Sequence, residues 1–251
     1  MKEIVILQWD FTPADYFEKE ITIPIENCLI VITNGRVEVK VDSEAYDANF
    51  SIREKLNEKL NTVFHSAQVS ANRPYELLMS PMIIRDGPSG RIKHYIFKVA
   101  PKAFLINAGD CHFKQLDKDG NVIFDSKQDR IKGIEHIATR AAQHGADPVL
   151  KSISRSYDAA VRDPINELTH LYEIRDALVK KFGNEGTAIN AIGLNSKGWS
   201  DFGRICNNEP IKKGRHRGRF IGALRDATRK ELLNVRGFAK EMIEGYLRFL
   251  G

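Results

Sequence analysis

The sequence predicts an α+β protein: an antiparallel β-sheet domain with one helix over residues 1–127, then an all-α helical bundle over residues 128–251. Three observations carry this expectation. Apolar, β-branched runs bounded by turn residues crowd the first half. Asp-Pro pairs followed by long apolar stripes of helical period mark the second. Charge divides in the same way, with 16 Lys and Arg against 18 Asp and Glu in residues 1–127 but 22 against 15 in residues 128–251. A polyanion is therefore expected to meet the helical half.

In chain order, Glu3–Trp9, Asn27–Thr33 and Arg36–Asp42 read as strands, and Asn34-Gly35 between the last two is the favoured two-residue hairpin pair. A helix follows from about Ser51 to Ala67, with Ile52, Leu56, Leu60, Val63 and Phe64 on one face. Two more hairpins turn at Asp86–Gly90 and at Asp117–Asn121, which brings the sheet to seven or eight strands. Past residue 127 no strand is expected. A helix from about Gln128 to Gln143 precedes two that start at Asp147-Pro148 and Asp163-Pro164, where an N-cap acceptor stands before proline at the first helical position. The second of these runs to Phe182 and closes at Gly183, its apolar stripe beginning at Ile165. Short helices over about Glu185–Ile192 and Lys197–Cys206 lead to a last helix from Thr228 to Leu250. That helix carries Leu233, Ile243 and Leu247 beside its main stripe, which suggests a face covered by a second protomer.

A content of 42% hydrophobic and 28% charged residues fits a soluble globular chain. The opening MKEIVILQWD has too short an apolar run for a signal peptide, no run is long enough to span a bilayer, and the expected location is the cytoplasm. Cys28, Cys111 and Cys206 are spaced for neither a disulfide framework nor a zinc site, so free thiols are expected; Cys111 beside His112 lacks a second ligand pair. No glycine-rich phosphate loop, nucleophile elbow or zinc-binding signature is present, and no cofactor or metal is expected. The cluster Trp9, Phe11, Tyr16 and Phe17 offers either a stacking surface or the closed end of the sheet, and a protein partner for this half is left open.

The strongest functional signal is Ile211–Arg219, IKKGRHRGR, in which Lys212, Lys213, Arg215, Arg217 and Arg219 surround His216 without an acid. Such a segment suits phosphate. The stretch from about Pro164 to Leu250 resembles the HEPN group of small helical domains of bacterial toxin, defence and CRISPR-associated ribonucleases. The resemblance rests on the helix NELTHLYEIRDALVKKFG, the short helices ending in RICNNEP, the loop ending in GRHRG and the closing amphipathic helix. It implies metal-free RNA cleavage in a homodimer formed through the helical domain. His216 would act as general base or acid and Arg215 or Arg204 would stabilise the phosphorane-like transition state. The family's mark is an Arg followed by His after four to six residues; here Arg204 lies farther from His216, and Arg215 is directly adjacent. Arg130 and His136 have that spacing but lie outside the resembling stretch.

The same region also reads as a helix-turn-helix, with Ile189, Ile192, Trp199 and Phe202 packing two helices and Lys197 and Arg204 placed for DNA phosphates. The leading expectation is an RNA-binding protein, RNA being favoured over DNA, with metal-independent ribonuclease chemistry if the Arg/His pair is catalytic. The alternative is a non-enzymatic DNA-binding module or protein-interaction scaffold.

Overall fold

The computed structural model describes residues 3–26, 28–49, 51–88, 90–95, 114–117, 121–220 and 222–251. Its architecture is α+β, as the sequence predicts. Two compact units interleave along the chain. One holds Met1–Asn61 and Tyr75–Ala142, the other Thr62–Pro74 and Gln143–Gly251, whereas the expected division was a single break after residue 127.

In the first unit, strands β1 (Ile4–Thr12), β2 (Ile21–Ile25), β3 (Cys28–Thr33), β4 (Arg36–Asp42), β5 (Glu76–Gly87) and β6 (Gly90–Tyr95) form an antiparallel sheet in the order β2-β3-β4-β1-β5-β6. The Asn34-Gly35 turn sets the β3–β4 register, Thr33 opposite Arg36, with positive φ at both turn residues. Alternate residues Val37, Val39 and Val41 of β4 and Ile30 and Ile32 of β3 are fully buried, giving one apolar face. Helix α1 (Ser43–Asp47) is short, and the first half of α2 (Ile52–Ala71) buries Leu56 and Leu60. The Trp9 indole N–H donates to Asn57 Oδ1 at 2.9 Å. Trp9, Phe11, Tyr16 and Phe17 are all buried, and their edge-on ring contacts close the sheet instead of offering a stacking surface.

Two expectations change here. Among the described residues the sheet has six strands, because β7 (Lys114–Leu116) and β8 (Val122–Asp125) pair there only with each other. This second ribbon leaves Leu116, Val122 and Ile123 exposed. Edge strand β2 had no counterpart in the expected elements, since Pro24 disguises it; a proline is tolerated at a sheet edge. Helix α3 (Ser126–Gln143) completes this unit up to Ala142, with Arg130 paired to Glu18 at 2.7 Å.

The second unit takes Thr62–Pro74, with Phe64 and Ala67 buried and Ser66 within 3.0 Å of Ser154. Helix α4 (Pro148–Arg162) begins as expected, Asp147 accepting the Leu150 N–H at 2.7 Å. Helix α5 (Glu167–Phe182) starts three residues later than Pro164, because the Asp163 carboxylate binds Asn166 and leaves Ile165 outside the helix and 70% exposed. Helix α6 (Glu185–Ile192) ends at left-handed Gly193, and α7 (Ser196–Gly203) runs into a π-helical turn at Arg204–Asn208, where an α-helix to Cys206 was expected. Helix α8 (Arg229–Leu250) is capped by Thr228 and Glu231 in a reciprocal box. Its Ile243 and Leu247 are buried inside this unit, so of the three residues read as a second face only Leu233 stays exposed. After Asp125 the described residues hold no strand, only an isolated bridge.

The β3–β4 turn gives a direct check on register. A Cβ at Gly35 would sit 3.0 Å from Ala14 Cβ on a backbone with φ of +80°. Gly35→Ala is expected to lower stability by about 1–2 kcal/mol, read as an earlier chemical-unfolding midpoint.

Candidate nucleic-acid interface

The basic segment is the front of a closed loop. Ile211 is fully buried and bridges Arg225; the Lys212 N–H donates to Arg225 O at 2.9 Å and the Arg225 N–H to Pro210 O at 2.8 Å. Both ends of the loop are thereby held side by side, in the manner of an Ω-loop. The Arg225 guanidinium locks this base, donating to Glu231 at 2.7 and 2.8 Å and to Glu209 at 3.4 Å. Since Glu231 also caps α8 at Thr228, loop closure and helix start share one carboxylate.

From this base the loop runs along α5, and there most of its charge is matched. Lys212 pairs with Asp226 at 2.9 Å, Lys213 with Glu167 at 3.3 Å and Arg215 with Asp176 at 2.8 Å. The Arg215 guanidinium also lies 5.0 Å from the Tyr172 ring centre, while Arg175 sits 5.2 Å from the same ring and 5.3 Å from Trp199. Arg217 binds neutral acceptors, Asn166 Oδ1 at 2.6 Å and Lys212 O at 3.3 Å, so its charge is uncompensated. Arg219 is exposed on the 3-10 turn Arg217–Phe220. Among the described residues neither its side chain nor that of half-buried His216 has a partner. The Arg219 N–H does donate to His216 O at 2.9 Å.

Glu167 is the anchor of this arrangement. Its carboxylate is 3% exposed and accepts from both Lys213 and Arg236. The Glu167 carboxylate in turn holds the Arg236 guanidinium above its ordinary pKa. Nearby, burial lifts the Tyr157 phenol to about 12, and burial with the Glu167 charge lifts the Cys206 thiol well above the ordinary thiol range. Cys206 is therefore an inert core thiol.

Both arginines of the expected catalytic set are already held by carboxylates. Arg204 is engaged by Glu209 and, at 3.9 Å, by Asp201; Arg215 is engaged by Asp176 and Tyr172. Lys197 pairs with Asp201 at 3.0 Å, which balances the exposed side of α7 where a DNA-reading helix would present charge. Arg130 is tied to Glu18, and His136 stands exposed on α3. Asn166, Glu167, Tyr172 and Asp176 were not anticipated as partners of the loop. They are separated from it by 39 to 51 residues in the hydrogen bonds of Arg215, Lys213 and Arg217, and no local spacing signals such pairs. Among the described residues no three His, Cys, Asp or Glu stand close enough to hold a metal; Cys111 and His112 lie outside those residues. No described helix is long and apolar enough to cross a membrane. Comparison with protein-family models, curated proteins and solved structures gives no match to this chain.

Two outcomes follow from the ion pairs. Glu167→Ala leaves Lys213 and Arg236 facing each other without their anion, and unfolding measurements should show a loss of about 3–5 kcal/mol. The second concerns pH. Arg225, with the Thr228 N–H and hydroxyl, holds the Glu231 carboxyl down to about 2 from an ordinary 4.5. Its stabilisation is thus complete above 4.5 and is lost as pH falls toward 2. The stability gap between the wild type and Glu231→Gln should be constant above that window and close through it in acid titrations followed by circular dichroism.

Proposed function

We propose that this protein binds RNA through the tip of the closed loop Ile211–Arg225, with Arg217 and Arg219 contacting phosphates beside His216. The observation that supports this most is the division of charge within the loop. Its base and its flank on α5 are neutralised by carboxylates, whereas the turn at Arg217–Phe220 carries cations with no acid opposite them. A rigid base under an unneutralised tip suits capture of a backbone phosphate. The HEPN-like order of a long helix, short helices, a basic loop and a closing helix agrees with this choice of ligand.

The function proposed is binding rather than cleavage. A metal-free ribonuclease needs an arginine free to meet charge growing on phosphorus and an imidazole within reach of the 2′-hydroxyl. Arg204 and Arg215 both already hold carboxylates, and Arg215 is stacked as well. A protein partner on the sheet unit is the second reading, supported by the β7–β8 ribbon with Leu116 and Val122 more than half exposed and Ile123 at 58%.

Anisotropy titrations with single-stranded RNA test the proposal. Two uncompensated cations predict a slope of about −1.4 for log K against log salt, at about 0.7 per cation. Replacing Arg217 and Arg219 together by Ala should abolish binding, while Lys212→Ala should change it little. Unchanged binding in the double variant would remove the loop tip as the contact. Equal affinity for DNA would reduce the reading to general nucleic-acid binding. RNA kept with the protein in EDTA should stay intact; 2′,3′-cyclic ends that disappear in His216→Ala would instead establish cleavage.

A further inference from the structure

The apex of the closed loop carries an aromatic side chain outside the core. Ile211 is the loop's fully buried apolar anchor, whereas Phe220, the last residue of the 3-10 turn Arg217–Phe220, is only half-buried and makes no ring contact among the described residues. Glycines stand two residues to either side of it, and a Cβ at Gly218 or Gly222 would meet nothing within 4 Å. The chain on both sides of Phe220 is thus uncrowded, and an incoming flat group meets no neighbouring side chain there.

The turn itself fixes what lies beside that ring. Side chains three residues apart eclipse on a 3-10 helix and, at about 2 Å of rise per residue, stand about 6 Å apart along it, so Arg217 and Phe220 share one face. Burial agrees, since Arg217 and Phe220 are both half-buried while Gly218 and Arg219 between them are exposed. Arg217 donates to two neutral acceptors, Asn166 Oδ1 and Lys212 O, so a cation with no acid opposite it stands on the same face as an aromatic ring. Arg219, next to Phe220 in the chain, adds a second such cation. A nucleotide joins an anionic phosphate to a flat base, and its two parts match this pair of side chains. The base has to be unpaired, because in a duplex both of its faces are covered by stacked neighbours.

We propose that the loop apex is a subsite for one unpaired base of single-stranded RNA, stacked on Phe220 while the backbone on either side of that base lies on Arg217 and Arg219. This subsite, which rests on the loop-tip reading above, adds the form of the RNA and the part of it that is held. Cations alone do not select between RNA forms, since a duplex or a ribose-phosphate chain without bases presents the same phosphates. The ring does select, because only a free base offers it a face.

Anisotropy titrations of the intact protein at low salt test the subsite, with oligouridylate and an abasic ribose-phosphate chain of the same length as probes. Stacking of one base on an aromatic ring is worth about fivefold to about 150-fold in affinity, so oligouridylate should bind at least about fivefold tighter than the abasic chain. Phe220→Leu, which keeps the apolar bulk, should remove that advantage while leaving the affinity for the abasic chain, the affinity for duplex RNA and the salt slope unchanged. Phe220→Trp should keep the advantage, and its added fluorescence should be quenched by oligouridylate and not by the abasic chain. Equal affinity of the wild type for the two chains overturns the proposal and requires no variant to fold; an advantage that survives in Phe220→Leu overturns it as well. The double Ala variant of Arg217 and Arg219 separates the two readings. If it loses binding while Phe220→Leu changes nothing, the base subsite fails and the loop tip stands; if it binds as the wild type does, the loop tip fails and the subsite with it.

Discussion

The buried carboxylate of Glu167 is the constraint around which the helical unit is arranged. A charge removed from water is tolerated only when partners replace the hydration it lost, and here one partner comes from the basic loop and the other from α8. Three segments far apart in sequence therefore have to be present together before Glu167 can be buried. This also explains why α5 starts where it does. With Asn166 drawn toward Asp163 and Arg217, Glu167 becomes the first helical residue and points its carboxylate to Lys213 and Arg236 instead of to solvent.

A linear count of charge overstates what a loop presents. Five cations in nine residues read as a phosphate-binding surface, yet three of them face carboxylates of α5 or of the loop's own end. Those three hold the loop in shape. What remains for a partner is a short turn with two cations and an imidazole, a smaller and more directional surface than the sequence suggested. The same accounting applies to α7, where Lys197 is balanced by Asp201 one turn away.

Legibility followed the range of the interaction. Hairpin Asn34-Gly35, the α4 start at Asp147-Pro148 and the α6 end at Ile192 are each set by a few adjacent residues, and each was readable. The α5 start was misplaced because Asp163-Pro164 has the letters of a helix start, while the Asp163 side chain is occupied by Asn166 and, at 3.4 Å, His170. Strand β2 escaped because Pro24 argues against a strand unless the strand is known to lie at an edge, and edge position is a property of the whole sheet. The site was legible as a charge cluster and illegible as a geometry. Nothing near Glu167 or Asp176 in the sequence marks either as the partner of a cation about forty residues away.

The five loop cations fall into three energetic classes, and these classes limit what the loop can do. Arg217 and Arg219 give up no ionic partner when they meet a phosphate. Lys212 and Arg215 are more than a third exposed, each opposite a half-exposed or more exposed carboxylate, and such pairs are worth about 0–1 kcal/mol. For Arg215 the contact with the Tyr172 face adds about 0.5–1 kcal/mol. Arg215 thus holds a carboxylate and an aromatic face together, and a phosphate would have to replace both, which leaves the contact to the two cations of the tip. Lys213 is held harder, because its departure would leave the nearly buried Glu167 carboxylate with Arg236 alone. The loop is therefore graded from its tip to its anchor: Arg219 and Arg217 are open to a phosphate, Lys212 and Arg215 stay with their exposed carboxylates, and Lys213 is fixed by the buried one.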